Sequence, residues 1–161
     1  RYHGIDWLCV GYNFGAQKID RVKQTLRLGI ISGVVITSSG FVICEFFPHA
    51  VSALFTDSDE LIDLAVGGIR LTVLMFPFVG AQIVIGNFFQ SIGKAKVSIF
   101  LSLTRQLLYL LPCLLLFPNW WGLEGIWISM PVSDALAFIT AVVSLMIYIK
   151  KVSKQHPVVA E

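Results

Sequence analysis

The chain has 161 residues, of which 56% are hydrophobic and 14% charged, and its formal net charge is +2. Soluble domains carry about 45–50% apolar and roughly 25% charged residues, so this composition favours a membrane protein over a soluble domain. The small net charge gives no reason to expect a nucleic-acid partner.

Residues that often bind metals or act as nucleophiles are scattered: Cys9, Cys44 and Cys113, and His3, His49 and His156. The cysteine count is odd and no C-x-x-C pair occurs, so a disulfide framework or a zinc site is not expected. HExxH and GxSxG motifs are also absent from the sequence. We therefore predict neither an enzyme nor a bound metal or cofactor.

Residues 1–27 precede the first long apolar run and are expected to form a cytoplasmic connector. Residues 1–10 contain neither the apolar run nor the cleavage site of a signal peptide. The stretch 15–27 is polar with helical periodicity, which predicts a helix along the membrane surface.

Four apolar stretches follow, at about 28–47, 64–91, 97–117 and 124–149. A hydrocarbon core of ~30 Å needs ~20 helical residues, so each stretch is long enough to cross a bilayer. Continuous rather than alternating apolar runs exclude membrane-spanning strands. The predicted fold is all-α, an integral membrane bundle of four transmembrane helices over 28–149, with a cytoplasmic tail at 150–161.

Basic residues alternate between the connectors. They occur before the first span, between the second and third, and after the fourth: Lys18, Arg21, Lys23, Arg27, Lys94, Lys96, Lys150, Lys151 and Lys154. The connectors 48–60 and 118–123 contain no Lys or Arg. The positive-inside rule then predicts that both ends lie in the cytoplasm. Trp120, Trp121 and Trp127 would form an aromatic belt at the outer end of the fourth helix.

The first two spans carry different faces. Small residues recur at helical spacing in the first: Gly29, Gly33, Thr37, Gly40 and Cys44. Such a face predicts close helix packing, with sliding during transport as the alternative. The second begins with a capping-box-like Asp57 and Glu60. It carries Gln82, Asn87 and Gln90 as polar cavity or structural candidates, and Pro77 as a hinge candidate.

The last two spans contain the two charges that are most costly in a membrane. Arg105 in the third shares a stripe with Tyr109, and Asp134 lies on a small-residue face of the fourth. In straight helices the two charges would miss each other by about 10 Å, so pairing requires a register shift at Pro112 or Pro131, the other hinge candidates. Asp134 is a candidate for proton or cation relay, with a structural role as the alternative, while Arg105 and Tyr109 are cavity or structural candidates.

Three motifs have a family look: GYNFGAQKIDRVKQTLRLGI (11–30), FFQSIGKAKVSIFLSLTRQ (88–106) and GLEGIWISMPVSDALAF (122–138). In order and spacing they resemble helices nine to twelve of the multidrug and toxic compound extrusion (MATE) transporters. The resemblance implies that the chain is a C-terminal fragment of a twelve-helix plasma-membrane antiporter and belongs to its C-terminal six-helix lobe.

The resemblance further implies export of drugs or cationic amphiphiles in exchange for Na⁺ or H⁺. The missing N-terminal lobe and helices seven and eight would be partners, so no transport is expected from this segment alone. Some members hold a cation-binding acid in the tenth helix, whereas PFVGAQIV (77–84) has none, with Gly80 near the aligned position. Asp134 matches an acidic residue common in the last helix.

Two alternatives stay open. A lipid-linked oligosaccharide flippase would line its cavity with more cations than Arg105 alone. A non-transporting membrane scaffold subunit would require no further transporter domain.

Overall fold

The computed structural model describes residues 7–16 and 18–155. The all-α prediction is confirmed, since the described residues form helices joined by short connections. His3, His156 and the predicted tail beyond Gln155 lie outside the described residues. The elements are α1 Trp7–Gly15, α2 Ile19–Phe46, α3 Pro48–Ala53, α4 Asp59–Val73, α5 Phe76–Ser91, α6 Ala95–Leu103, a π-helical segment Thr104–Leu110, α7 Leu111–Leu116 and α8 Pro118–Gln155.

Three helical units are long and apolar enough to cross a membrane: Ile19–Phe46, Ala95–Leu116 and Pro118–Val152. The pair α4 and α5 passes the same test together but is bent by 49°, which brings the number of candidate spans to as many as four among the described residues. At ~1.5 Å per residue, the 28 residues of α2 extend over about 42 Å, more than the ~30 Å of a hydrocarbon core. Residues 19–27 therefore continue the helix of the first span, and no break separates them as a surface helix.

The connection to the second span begins with Pro48, which opens α3 at a position where its missing N–H costs nothing. Helix α4 then starts at Asp59 after the N-cap Ser58, and its N-cap side chain makes no capping hydrogen bond. The expected capping box at Asp57 is therefore wrong. The acidic Asp59 and Glu60 in the first turn still favour this helix end through the helix dipole.

The break between α4 and α5 falls at Leu74 and Met75, just before Pro77. Pro77 occupies the first turn of α5, and a helix continued from α4 through this position would lose a hydrogen bond. At the other end of α5, Gly93 adopts φ 76° and Lys94 donates its backbone N–H to the Phe89 carbonyl at 2.8 Å. This Schellman arrangement reverses the chain into α6.

Two further irregularities interrupt the last two spans. The π-helical segment precedes Pro112, and the Leu111 N–H bonds the carbonyl of Gln106 across a widened turn. In α8 the backbone leaves helical geometry at Gly122, with φ 55° and ψ −134°, while Pro131 lies within helical backbone. The interruption in the fourth span is therefore at Gly122.

Helices α2 and α5 pack antiparallel at very short range. A Cβ built on Gly33 would lie 2.8 Å from Cγ2 of Val84, and one built on Gly80 would lie 2.6 Å from the carbonyl oxygen of Gly33. Glycine is required at both positions because any side chain would push the two backbones apart. The packing interpretation of the small-residue face is confirmed at Gly33 and Thr37, which face Gly80.

Helix α8 runs parallel to α4 and α5 in constant register. Trp127 covers Gly67 and Gly68, while further along Phe78 contacts Phe138, and Phe88 contacts Tyr148. These partners are all about 60 positions apart, as expected for two parallel helices of equal rise. The spans thus alternate in direction, and the start of α2, the α5–α6 turn and the end of α8 lie at one end of the bundle.

The buried apolar cluster lies toward that same end. It is formed by α1, α2, α5, α6 and α8: Val10, Val22, Leu26, Val84, Ile85, Phe88, Phe89, Ile92, Leu101, Ala141 and Leu145. Elsewhere the outer faces expose large apolar side chains, such as Phe46, Leu107 and Ile147. So many exposed apolar groups fit a bundle that is surrounded by lipid.

Candidate functional site

The structure brings Arg105 and Asp134 into direct contact. Nε of Arg105 donates a hydrogen bond to Oδ1 of Asp134 at 2.8 Å. The Asp134 side chain is only 8% exposed, whereas the Arg105 side chain is 35% exposed. A charged pair at this depth is retained in membrane proteins mainly when each charge neutralises the other or serves transport.

The pair forms because the third span is not a straight α-helix. Arg105 lies within the π-helical segment that leads into Pro112. Proline removes an N–H donor and crowds the preceding turn, and a widened turn relieves that crowding. The irregular turn alters both the rise and the direction of the Arg105 side chain relative to straight-helix geometry.

A second polar contact, between Tyr109 and Thr140, crosses the first. Thr140 Oγ1 donates to the Leu136 carbonyl at 2.9 Å, so its single hydrogen is already used. The 2.8 Å contact with the Tyr109 hydroxyl therefore has Tyr109 as donor. In an antiparallel helix pair, Arg105 would be expected nearer Thr140 and Tyr109 nearer Asp134. The long Arg and Tyr side chains reach past each other along the helix axis instead.

The surroundings of Asp134 on α8 are small and internally satisfied. Ser129 donates to the Gly125 carbonyl at 2.7 Å and Ser133 to the Met130 carbonyl at 2.8 Å. Both serines are buried, as is Ala137. Since these hydroxyl hydrogens are used within α8, Arg105 is the side chain for which a hydrogen bond to Asp134 is found among the described residues.

The constant register between α8 and α4–α5 places Asp134 at a defined depth. Subtracting about 60 positions puts Asp134 level with Leu74, at the break between α4 and α5. The charged pair and the 49° bend thus lie at the same height in the bundle. Broken helices near the middle of a membrane protein commonly border binding sites.

The amide candidates on α5 lie in different environments. Gln82 is buried, and its Oε1 has no hydrogen-bond partner among the residues that the structure describes. Asn87 is half-buried and Gln90 is exposed. By the same register Gln82 lies level with Val142, about 12 Å along the axis from Asp134. The structure therefore does not group the amides with the charged pair.

Sequence reasoning did not identify Thr140 as a partner of Tyr109. Its signal was weak, because a threonine in a transmembrane helix usually bonds its own backbone, as Thr140 also does. Within residues 7–16 and 18–155, no group of three or more His, Cys, Asp or Glu side chains could hold a metal ion.

Comparison with known proteins places the chain among transporters. The MatE family model matches residues 8–115. The "Uncharacterized transporter YisQ" of Bacillus subtilis (strain 168) is 25% identical over 124 residues, which cover 76% of this chain and 27% of that protein.

Solved structures give the same answer. The chain is 37% identical to the MATE multidrug transporter DinF-BH, solved in complex with a ligand, with a TM-score of 0.79 over 85% of this chain and 31% of that one. An inward-facing multidrug resistance MATE family transporter of the MOP superfamily has a TM-score of 0.84 at 19% identity, over 90% of this chain and 34% of that one. The bent form of the Vibrio cholerae transporter VcmN has a TM-score of 0.81 at 19% identity, over 90% of this chain and 33% of VcmN. The chain thus spans between 27% and 34% of the length of these relatives.

Proposed function

This chain belongs to the MATE family of multidrug transporters, and from that premise we propose that it forms part of a larger antiporter exporting drugs or cationic amphiphiles. The family consists of membrane transporters rather than enzymes, in agreement with the sequence-based expectation. The observation that carries the proposal is the 37% identity to a MATE multidrug transporter across 85% of the chain.

The remaining two thirds of such a transporter would supply its partners. Because the chain spans about a third of its relatives, an N-terminal lobe and the helices before α2 would complete the substrate cavity. In this arrangement the chain contributes four helices of the C-terminal lobe. A cationic substrate would bind between the lobes, and the solved complex of DinF-BH with its ligand provides the supporting parallel.

We place the coupling step at Asp134. Its carboxylate is held by Arg105 at 2.8 Å, and a proton or Na⁺ arriving at Asp134 would compete with that guanidinium. Release of Arg105 would loosen the contact between the third span and α8 at the height of the α4–α5 break. The inward flow of the ion would thereby bias a bent helix between two positions.

A flippase function has less support. A lipid-linked pyrophosphate needs free cations, and Arg105 already neutralises Asp134. The antiporter proposal needs no further positive charge within the spans.

The Asp134→Asn variant of the complete transporter tests the coupling step. The amide keeps the shape and can still accept from Arg105, but it cannot carry the charge that exchanges with a cation. We expect gradient-driven efflux of a cationic dye from proteoliposomes to fall by about tenfold, a typical size for coupling between two sites. Efflux is measured under an inward Na⁺ gradient and, separately, an inward H⁺ gradient.

Two controls separate coupling from folding. Asp134→Glu retains the charge and should retain part of the gradient dependence. Arg105→Gln with Asp134→Asn removes both charges, so the protein should fold but stay uncoupled. Undiminished ion-driven efflux by Asp134→Asn would remove this residue from the mechanism.

We also propose that both ends of the described segment face the cytoplasm of a plasma membrane. The support is geometric, since the basic connectors before α2, at the α5–α6 turn and after α8 lie at one end of the bundle. In a cysteine-free background, Lys94→Cys should react with an impermeant maleimide only after the cells are opened. Asp57→Cys, in the acidic connector at the other end, should react in intact cells. The reverse labelling pattern would invert the orientation.

A further inference from the structure

A groove on the side of the bundle combines a basic mouth with apolar walls. It lies between α2 and α8, both of which pack on α5, and has a volume of about 460 Å³. Lys23 and Arg27 of α2 line one end, and Ile30, Ile31 and Leu145 line the other. This size lies in the range of ~300–1,000 Å³ that is typical of small-molecule sites.

The order of residues along the groove is that of an amphiphile at a membrane surface. Lys23 and Arg27 are one turn apart on the same face of α2, so both cations point to one side. From Lys23 to Ile31 the groove extends over about 12 Å along the helix axis, from the basic end of the bundle toward its middle. Among the described residues that line it, none carries a carboxylate.

We propose that this groove binds an anionic phospholipid, with the phosphate on Lys23 and Arg27 and an acyl chain along Ile30, Ile31 and Leu145. Basic pockets between transmembrane helices on the cytoplasmic side are suited to acidic headgroups. The groove opens beside apolar side chains that are themselves exposed, including Ile31, Met146 and Ile147. Its occupant must therefore extend from the headgroup region into hydrocarbon, as a lipid does.

The site is separate from the proposed transport path. Two cations at its mouth repel a cationic amphiphile, so the groove is not a second position for the transported drug. A lipid bound here would bridge α2 and α8 on the side of the bundle where both helices pack on α5. The proposal stands or falls independently of antiport.

The first arm of the test compares lipids on the purified, complete protein. Native mass spectrometry and thermal unfolding are followed while phosphatidylglycerol or phosphatidylcholine is added. We expect phosphatidylglycerol to be retained and to stabilise the protein, and phosphatidylcholine to do so much less. Equal retention of the two lipids would overturn the proposal. Inorganic phosphate should not displace the bound lipid, and displacement by phosphate would mean that only an anion is recognised.

The second arm uses variants. Lys23→Gln with Arg27→Gln should weaken phosphatidylglycerol binding by roughly thirtyfold, the effect of losing two cations near an anionic headgroup. Lys96→Gln with Lys150→Gln removes the same charge from the same end outside the groove and should change binding little. Ile31→Trp fills the groove with all charges intact and should also reduce retention. Equal losses in the two charge variants, or no loss in Ile31→Trp, would show only diffuse attraction to the surface.

Discussion

Replacing Arg105 with Ala is expected to lower the free energy of unfolding by about 3 kcal/mol, the lower end of the range for breaking a buried ion pair. The variant leaves the Asp134 carboxylate, whose side chain is 8% exposed, without the guanidinium that neutralises it. Asp134→Ala should cost less, because the 35% exposed Arg105 can extend toward the membrane surface. Equilibrium unfolding of the purified protein in mild detergent measures both values.

The chain offers a matched control for this experiment. Arg70 lies 3.9 Å from Glu45, but their side chains are 53% and 35% exposed. Such a pair contributes little, so Arg70→Ala should cost less than about 1 kcal/mol. Arg105→Met combined with Asp134→Leu should recover most of the stability, since both charges are gone. If Arg70→Ala proved as damaging as Arg105→Ala, burial of the Arg105–Asp134 pair would not be the cause.

Replacing Gly80 with Ala is expected to destabilise the fold by about 2–3 kcal/mol, as for overpacking of a close-packed interior. A Cβ on Gly80 would collide with the Thr37 hydroxyl and lie 2.6 Å from the backbone oxygen of Gly33. A backbone atom cannot rotate away as a side chain can, so α2 and α5 must separate. Because these two helices form the most extensive contact among the described elements, the loss should also lower the unfolding cooperativity.

Gly86, also in α5, provides the comparison. A Cβ built there would come no closer than 3.9 Å to Ser98 Oγ, which is ordinary contact. Gly86→Ala should therefore be neutral or stabilising by up to about 1 kcal/mol, the difference in helix propensity between the two residues. Urea or thermal unfolding of both variants in the same detergent decides the matter. Equal losses at the two positions would argue that alanine itself, rather than the Gly33–Gly80 approach, is responsible.

The existence of the spans could be predicted because hydropathy over ~20 residues is a strong signal. Their bounds were less predictable. Helix α2 begins at Ile19 rather than near residue 28, because hydrogen bonding along a helix does not stop where the hydrocarbon ends. The resemblance to MATE transporters, argued from three motifs, is confirmed by the family match over residues 8–115.

The candidate site was harder to derive. Arg105 and Asp134 could be singled out as costly charges, yet their contact depends on the π-helical segment, and no residue pattern in Thr104–Leu110 marks a widened turn. Pro112 indicated an irregularity without giving its form. Pro77 was informative, since the break lies just before it, whereas Pro131 lies in helical backbone and Gly122 provides the interruption in α8. Which of these positions act as hinges stays a prediction.

The parallel alignment of α8 with α4 and α5 has a consequence for biosynthesis. Trp127 fills the space over Gly68, yet about 60 residues of chain, including one complete outward crossing, are synthesised between them. Until the ribosome has released α8, the glycine surface of α4 has only lipid tails against it. The antiparallel contact of α2 with α5 has no such delay, so we expect this hairpin to assemble first and to serve as the template on which the last helix docks.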